Sequence, residues 1–122
     1  MVADTFQHIR LNPAGDVLLV EVLSQDIQGP DRAKEFINEL TEAVCRDGDL
    51  PILLDLGRVR YLSSMGYSAL FKMVKCAREK GRPIRFCNIH QDVRAGAEAV
   101  GLAHVVTVHS CEADARAAFA SE

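Results

Sequence analysis

The feature that most constrains the fold is a short apolar run in the middle of the chain, Pro51-Ile52-Leu53-Leu54-Asp55-Leu56, bounded by Gly48 and Gly57. A nearly continuous apolar run of this length is typical of a strand that is covered on both faces. Apolar residues recur at three- and four-residue steps both before and after it, which indicates amphipathic helices that can supply the cover. The run therefore predicts the central strand of an α/β sheet.

The segments before this run predict a β-hairpin followed by a helix. Phe6 to Leu11 and Val17 to Leu23 are the two strands, joined by the turn-forming residues of Asn12-Pro13-Ala14-Gly15-Asp16. Gly29-Pro30-Asp31 then interrupts the chain, and Asp47-Gly48-Asp49 ends the predicted helix. One buried face of that helix is predicted at Ala33, Phe36, Ile37, Leu40, Ala43 and Val44.

The segments after the central run continue the alternation of helices and strands. A helix that begins near Ser63 and Ser64 is predicted to end at Gly81, with a buried stripe of Leu70, Met73, Val74 and Ala77. The remaining elements are predicted as a strand at Ile84 to Ile89, a helix at Asp92 to Val100, a strand at His104 to Val108 and a helix at Glu112 to Ala120. Helical crossovers return the chain in the same direction, so the sheet should be largely parallel. We expect one α/β domain over residues 1–122, with a mixed, mostly parallel sheet, an N-terminal hairpin and four helices.

Composition and charge exclude several function classes. The net charge of -3 gives no overall cationic field for a nucleic acid or an anionic membrane surface, and the basic residues from Lys72 to Arg85 lack interleaved aromatics. The apolar runs are far shorter than the roughly 20 residues of a membrane span, and the first residues, MVADTFQHIRL, lack the apolar segment of a secretory signal. We expect a cytoplasmic protein whose four cysteines are reduced and mostly buried.

The serine pair Ser63-Ser64 is the main candidate for function, because it follows the central strand and begins a helix. Ligands and partners of parallel α/β sheets bind at that end of the strands. One interpretation is that a serine hydroxyl only caps the free N–H groups of the first helical turn. The other is that Ser64 accepts a phosphate, which those N–H groups and the helix dipole would tolerate and which could break a docked interface.

Catalytic, nucleotide and metal sites have weaker support. A serine hydrolase turn reads Gly-x-Ser-x-Gly, whereas the stretch here is Leu62-Ser63-Ser64-Met65-Gly66. The chain has no Gly-x-Gly-x-x-Gly and no Gly-Lys-Ser/Thr motif, so no nucleotide cofactor is expected. Cys87 with His90, and His109 with Cys111, are poorly spaced for a metal centre. We therefore expect no enzyme, no cofactor and no metal.

The stretch from Ile52 to Tyr67 resembles the central motif of STAS domains, the anti-sigma factor antagonist family. In that family an apolar strand ending in Asp-Leu precedes a short polar stretch, an aromatic or aliphatic pair and an Asp-Ser-small-Gly helix start. Gly81 to Cys87 and Val93 to Leu102 also resemble the family order. The resemblance runs from about Val17 to Phe119 and implies that Ser64 is the phosphoacceptor. Ser63 stands where the family commonly has Asp.

The resemblance implies a regulatory module that binds other proteins. An anti-sigma-type serine kinase would dock on the unphosphorylated face and be released when Ser64 is phosphorylated, and a phosphatase would reset the switch. Met65 lies off the buried stripe and should be exposed, whereas Tyr67 and Phe71 could either pack or take part in recognition. The predicted partner-binding residues are Asp26, Ser63, Ser64, Met65, Gly66 and Tyr67. A scaffold without phosphorylation and, less favoured, a small serine hydrolase remain as alternatives, and the sequence leaves the oligomeric state open.

Overall fold

The computed structural model of the chain describes residues 6–45 and 48–121, which form a mixed sheet with four α-helices. The strands are β1 (Ile9–Ala14), β2 (Val17–Val22), β3 (Asp26–Ile27), β4 (Ile52–Asp55), β5 (Tyr61–Leu62), β6 (Ile84–Cys87) and β7 (Val108–His109). The helices are α1 (Pro30–Cys45), α2 (Ser64–Glu79), α3 (Gln91–Ala99) and α4 (Glu112–Ala120), with a 3₁₀ turn at Leu102–His104 between α3 and β7.

The main sheet has the strand order β1-β2-β4-β6-β7, so the predicted central strand does lie at its centre. β1 pairs with β2 in antiparallel fashion, and the other neighbours are parallel. Alternate residues of β4 face opposite layers. Ile52 and Leu54 enter the core beneath α1, α2 and α3, whereas Leu53 packs with Ala115 of α4. The predicted α/β fold, with an N-terminal hairpin and a mostly parallel sheet, is confirmed.

The two long helices bury the predicted faces. In α1 the buried residues are Ala33, Phe36, Leu40, Ala43 and Val44, while Ile37 is half-buried. α2 ends at the predicted glycine: Gly81 has φ 71°, its N–H donates to Arg78 O, and the N–H of Arg82 donates to Ala77 O. This pair of bonds satisfies the last carbonyls of the helix, and glycine suits the left-handed conformation that they require. The predicted end of α1 at Asp47 lies outside the described residues.

Three predictions of local structure need correction. The strand predicted at His104 to Val108 is limited to Val108–His109, because Gly101 adopts a left-handed conformation with φ 77° and starts a 3₁₀ turn. The hairpin turn is shorter than predicted, since β1 extends to Ala14 and its Pro13 is tolerated on an edge strand. The cysteines are not mostly buried: Cys87 is buried, Cys45 is exposed, and Cys76 and Cys111 are half-buried.

Arg82, which follows the end of α2, is almost fully buried, with 5% of its surface exposed. Its guanidinium donates to Leu50 O at 3.0 and 2.8 Å and to Val44 O at 3.1 Å. These bonds tie the C-terminal end of α1 to the segment that enters β4.

No helix within the described ranges combines the length and the apolar character that crossing a membrane requires.

Candidate functional site

The segment that leads to the serine pair is held by a small parallel sheet that the sequence did not predict. β3 and β5 pair with Asp26 opposite Tyr61 and Ile27 opposite Leu62. Gln25 O accepts the N–H groups of Arg60 at 2.7 Å and Tyr61 at 3.1 Å, and Ile27 O accepts the N–H of Ser63 at 2.9 Å. The predicted site residue Asp26 therefore lies in β3, next to β5, the strand that leads directly to Ser63 and Ser64.

The two serines do different things at the start of α2. Ser63 is the N-cap, with φ -73° and ψ 170°, and its Oγ accepts the N–H of Gly66 at 3.3 Å. Its carbonyl accepts the N–H of Tyr67 at 3.0 Å, which is the first bond of the helix. Ser64 is the first helical residue and is exposed. Because Ser63 supplies the cap, the Ser64 hydroxyl is not needed for it.

Two large apolar side chains are exposed beside Ser64. Met65 is 45% exposed, as its position off the buried stripe predicted, and Tyr61 is 50% exposed. Tyr61 and the exposed Asp26 are opposite each other in the β3–β5 pair. We call the surface formed by Asp26, Tyr61, Ser64 and Met65 the β5–α2 face.

The sequence pattern did not indicate Tyr61 as a site residue. A two-residue strand has no detectable alternation by itself, but the pair Tyr61-Leu62 does divide into one exposed and one buried residue. The exposed aromatic directly before the serine pair was the available signal, since aromatic residues are enriched at protein interfaces.

Gly66 is buried and permits the first turn of α2 to lie close to β5. A Cβ at this position would stand 2.4 Å from Leu62 Cδ1 and 2.8 Å from Leu62 Cγ, well inside van der Waals contact. Leu62 is itself buried, with 6% exposure, so it has little room to retreat. The predicted part of Gly66 in partner binding can therefore only be indirect, through the position of the helix start.

Tyr67 is buried beneath the exposed first turn and joins α2 to α3. Its side chain is 8% exposed, and its hydroxyl donates to Val93 O at 2.8 Å. A Cβ on Gly96 would stand 2.2 Å from that hydroxyl oxygen, so α3 carries a glycine where the ring passes. Burial, with a smaller contribution from Tyr61, raises the pKa of Tyr67 above its ordinary value. Like Gly66, Tyr67 can act on a partner only from below the surface.

A second contact between the site and α3 comes from Arg60. Its NH1 lies 2.9 Å from Nε2 of His90, the N-cap residue of α3. The Nδ1 atom of His90 accepts the N–H of Asp92 at 3.2 Å, which is the N-cap bond of α3. That nitrogen lies 3.5 Å from Asp92 Oδ2. The stretch between β4 and α2 is thus fixed both to β3 and to α3.

The residues considered for other chemistry do not converge on the serines. In the described parts of the chain, no group of three or more His, Cys, Asp or Glu side chains could hold a metal ion. Cys87 packs in the layer beneath α4, and burial raises the pKa of its thiol to about 12. His109 Nε2 lies 3.0 Å from Arg85 NH1 at the edge of the sheet. No histidine is hydrogen-bonded to Ser64 within residues 6–45 and 48–121.

The fold is shared with solved structures of two kinds. An anti-sigma-factor antagonist (STAS) domain protein from Planctomyces limnophilus superposes with a TM-score of 0.77 at 16% identity, covering 90% of this chain and 95% of that one. For the anti-sigma factor antagonist SpoIIAA of Bacillus in its unphosphorylated form, the TM-score is 0.73 at 11% identity, over 93% and 97%.

The second kind is a transporter. The murine anion transporter Slc26a9 gives a TM-score of 0.75 at 20% identity, covering 91% of this chain and 19% of that one. None of the curated proteins matches this sequence. At these identities, the similarity to solved structures establishes the fold alone. The family model for the STAS domain matches residues 31–115, well over half of the sequence, and the chain therefore belongs to the STAS domain family.

Proposed function

We propose that this chain is a cytoplasmic regulatory module of the anti-sigma factor antagonist type, a single domain over residues 1–122 without catalytic activity. The β5–α2 face docks an anti-sigma-type serine kinase while Ser64 is unmodified. Phosphorylation of Ser64 releases that partner, and a separate phosphatase restores the docking state. Neither nucleic acid nor a membrane takes part in the switch.

The observation that carries the proposal is that the two serines have different roles. Ser63 caps the helix through its bond to the Gly66 N–H, and Ser64 is exposed at the first helical position. A modification of Ser64 therefore leaves the cap in place. The serine that stands where the family commonly has Asp keeps the acceptor oxygen that an N-cap requires, because Ser and Asp are both good N-cap residues.

The surroundings of Ser64 suit an added phosphate. The N–H groups of Gly66 and Tyr67 are bonded to Ser63, whereas the first two N–H groups of a helix have no partner within it. The first turn of α2 contains no acidic residue. A phosphate of nearly two negative charges would face these donors and the positive end of the helix dipole, so it should be tolerated without unfolding.

The same phosphate would oppose a docked partner. Tyr61 and Met65, on either side of the serine pair, are large apolar groups from which a docked partner would exclude water. A doubly charged group between them would have to lose its hydration on docking, at a cost that apolar contacts cannot offset. The solved structures that share this fold include SpoIIAA in both unphosphorylated and phosphorylated forms.

The test is to locate the phosphate by mass spectrometry, either in protein from native cells or after incubation with ATP and a candidate kinase. Trypsin, which cuts after Arg60 and Lys72, releases Ser63, Ser64 and Ser68 in one peptide, so fragment ions must assign the position. We expect phosphate on Ser64, lost in Ser64→Ala and kept in the matched variant Ser68→Ala. Ser68 is exposed on the same helix.

Partner release is tested with the same pair of positions. Ser64→Asp should lose binding to the kinase in a pull-down, and Ser68→Asp should retain it. A peptide without phosphate, under conditions that modify a related antagonist, would contradict the switch and favour a scaffold that docks constitutively. Ester hydrolysis that disappears in Ser64→Ala would contradict the non-catalytic assignment.

A further inference from the structure

An open pocket of about 430 Å³ lies at the far end of the sheet from Ser64, where β6 extends beyond the start of β7. We call it the β6 notch. Its walls are the C-terminal part of α2, the N-terminal half of β6 and the segment between the 3₁₀ turn and β7. The residues that line it are Arg78, Pro83 to Arg85 and Ala103 to Thr107.

The notch exposes the edge of a strand. On the β4 side of β6, the carbonyls of Pro83 and Cys87 accept the N–H groups of Ile52 and Leu56, at 2.8 and 3.1 Å. On the β7 side, the N–H groups of Phe86 and Asn88 donate to Thr107 O and His109 O. Alternate residues of a strand direct their N–H groups to opposite neighbours, so the N–H of Ile84 points towards the β7 side. The pairing with β7 begins only at Phe86, and Ile84 therefore presents its N–H to the notch.

The ionisable side chains at the notch are all basic. Arg78, Arg85 and His104 line it, and the described residues of its wall include no Asp or Glu. Polar atoms make up most of its surface, in contrast to the apolar depression on the other side of Arg78, which Phe71, Val74 and Val105 line. A polar concavity with cationic walls and a backbone donor favours an anion over an apolar or cationic ligand.

Hydrogen bonds and a ring contact hold the two arginines at the notch. Arg78 donates from NH2 to Val105 O, which joins α2 to the opposite wall. A guanidinium has five N–H donors, so this bond leaves capacity for a ligand. Arg85 lies over the Phe119 ring at 5.4 Å and is bonded to His109. Arg85 therefore contributes positive charge to the notch, and no hydrogen bond from its side chain to the ligand is needed.

We infer that the β6 notch binds a small tetrahedral oxyanion, either inorganic phosphate or the phosphoryl group of a phosphomonoester. The Ile84 N–H and the guanidinium of Arg78 contact its oxygens, a ring N–H of His104 donates to it, and Arg85 contributes positive charge. The notch is open on one side, which gives room for the rest of a phosphomonoester. The site is separate from the proposed switch, since Arg78 and Ser64 are 14 positions apart on α2, or about 21 Å at 1.5 Å per residue.

The inference is tested by titrating the isotope-labelled full chain with sodium phosphate and, in a second series, with glycerol phosphate, while following the backbone amide signals by NMR. Sodium chloride at equal ionic strength controls for screening. We expect saturable shifts centred on Ile84 and the segment 103–107, with the Ile84 amide moving downfield. Arg78→Gln should weaken binding at least about tenfold, as expected for the loss of a charge-assisted hydrogen bond.

Lys72→Gln is the matched control, because it removes one positive charge from an exposed position of the same helix away from the notch. It should leave the affinity unchanged. His104→Ala, at an exposed position, provides a second variant with weakened binding should Arg78→Gln alter the amide spectrum of the free protein. Saturation by either anion at the notch supports the site. Shifts that do not saturate, or an equal loss in Lys72→Gln and Arg78→Gln, would overturn it.

Discussion

Replacing Gly96 by Ala should disturb the packing on which the first turn of α2 rests. Gly96 lies in α3 directly against the ring of Tyr67. An added Cβ would stand 2.2 Å from the hydroxyl oxygen, 2.7 Å from Cζ and 3.1 Å from Cε2. None of these atoms can move alone, because they belong to one rigid ring that is 8% exposed. The ring or α3 must therefore shift.

The expected cost combines three contributions. Overpacking at a buried site costs about 1–3 kcal/mol. Displacing the hydroxyl from its 2.8 Å bond to Val93 O adds about 1 kcal/mol. Alanine favours the helix over glycine by about 0.5–1 kcal/mol, which offsets part of the sum. We expect Gly96→Ala to lower the free energy of unfolding by about 1–3 kcal/mol.

Urea unfolding followed by far-UV circular dichroism measures this quantity, and the chain has no Trp that would allow the usual fluorescence assay. Ala95→Gly, at the neighbouring exposed position of α3, measures the helix-propensity contribution separately. The double variant Gly96→Ala, Tyr67→Phe should cost less than the sum of the two single variants, since both disturb the same hydroxyl. A Gly96→Ala protein as stable as the parent would refute the argument, because it would show that the ring needs no glycine beneath it.

Three further outcomes follow from the same contacts. Ser63→Ala should lower the free energy of unfolding by about 1 kcal/mol through loss of the N-cap, whereas Ser64→Ala should change it by less than about 0.5 kcal/mol, as usual for an exposed position; urea unfolding compares the two. Arg82→Ala should cost about 2–4 kcal/mol, because it leaves buried carbonyls without their charged donor, and thermal and urea unfolding both report it. At pH 8 a maleimide should label the exposed Cys45 in the native protein and Cys87 only after unfolding, because burial raises the pKa of Cys87 to about 12. A raised thiol pKa favours the folded state below the ordinary value of 9.0, so this contribution to stability should decline as the pH rises above that value.

The elements that were predicted correctly are those whose pattern is long and local. Four or more turns of α1 and α2 repeat their apolar positions, and the buried stripe from Leu70 to Ala77 is found as predicted. The central strand was identified because it is covered on both faces and so lacks polar interruptions. The end of α2 followed from one residue, Gly81, whose left-handed conformation disfavours a side chain.

The elements that were missed depend on contacts between distant segments. β3 and β5 have two residues each, and they are strands only because Gln25 and Ile27 meet the chain near residue 60. Two residues carry no periodicity, so their pairing cannot be read from the sequence. The strand predicted at His104 to Val108 was wrong for a related reason. Val106 lies in an irregular segment after a 3₁₀ turn, and its β-branched side chain packs in the core although the residue pairs with no strand.

The candidate site divides in the same way. The position of the serine pair at a helix start followed from the local pattern, and the exposure of Met65 followed from the stripe. The burial of Tyr67 did not, because it depends on a hydroxyl acceptor and a glycine that α3 supplies 26 and 29 positions later in the chain. A tyrosine next to an exposed turn is equally compatible with packing and with recognition until those partners are placed.

The arrangement around Ser64 would allow the proposed modification to change binding while the fold is unaffected. The contacts that position the first turn of α2 are the half-buried Ser63 cap, the buried contact of Gly66 with Leu62, and the buried bond from Tyr67 to α3. None of these uses the Ser64 side chain. A charge added at Ser64 should therefore affect the proposed docking on Tyr61 and Met65, and substitutions beneath the turn should lower stability. Variants that lower stability without changing partner affinity, and Ser64→Asp with the opposite pattern, would separate the two layers of this site.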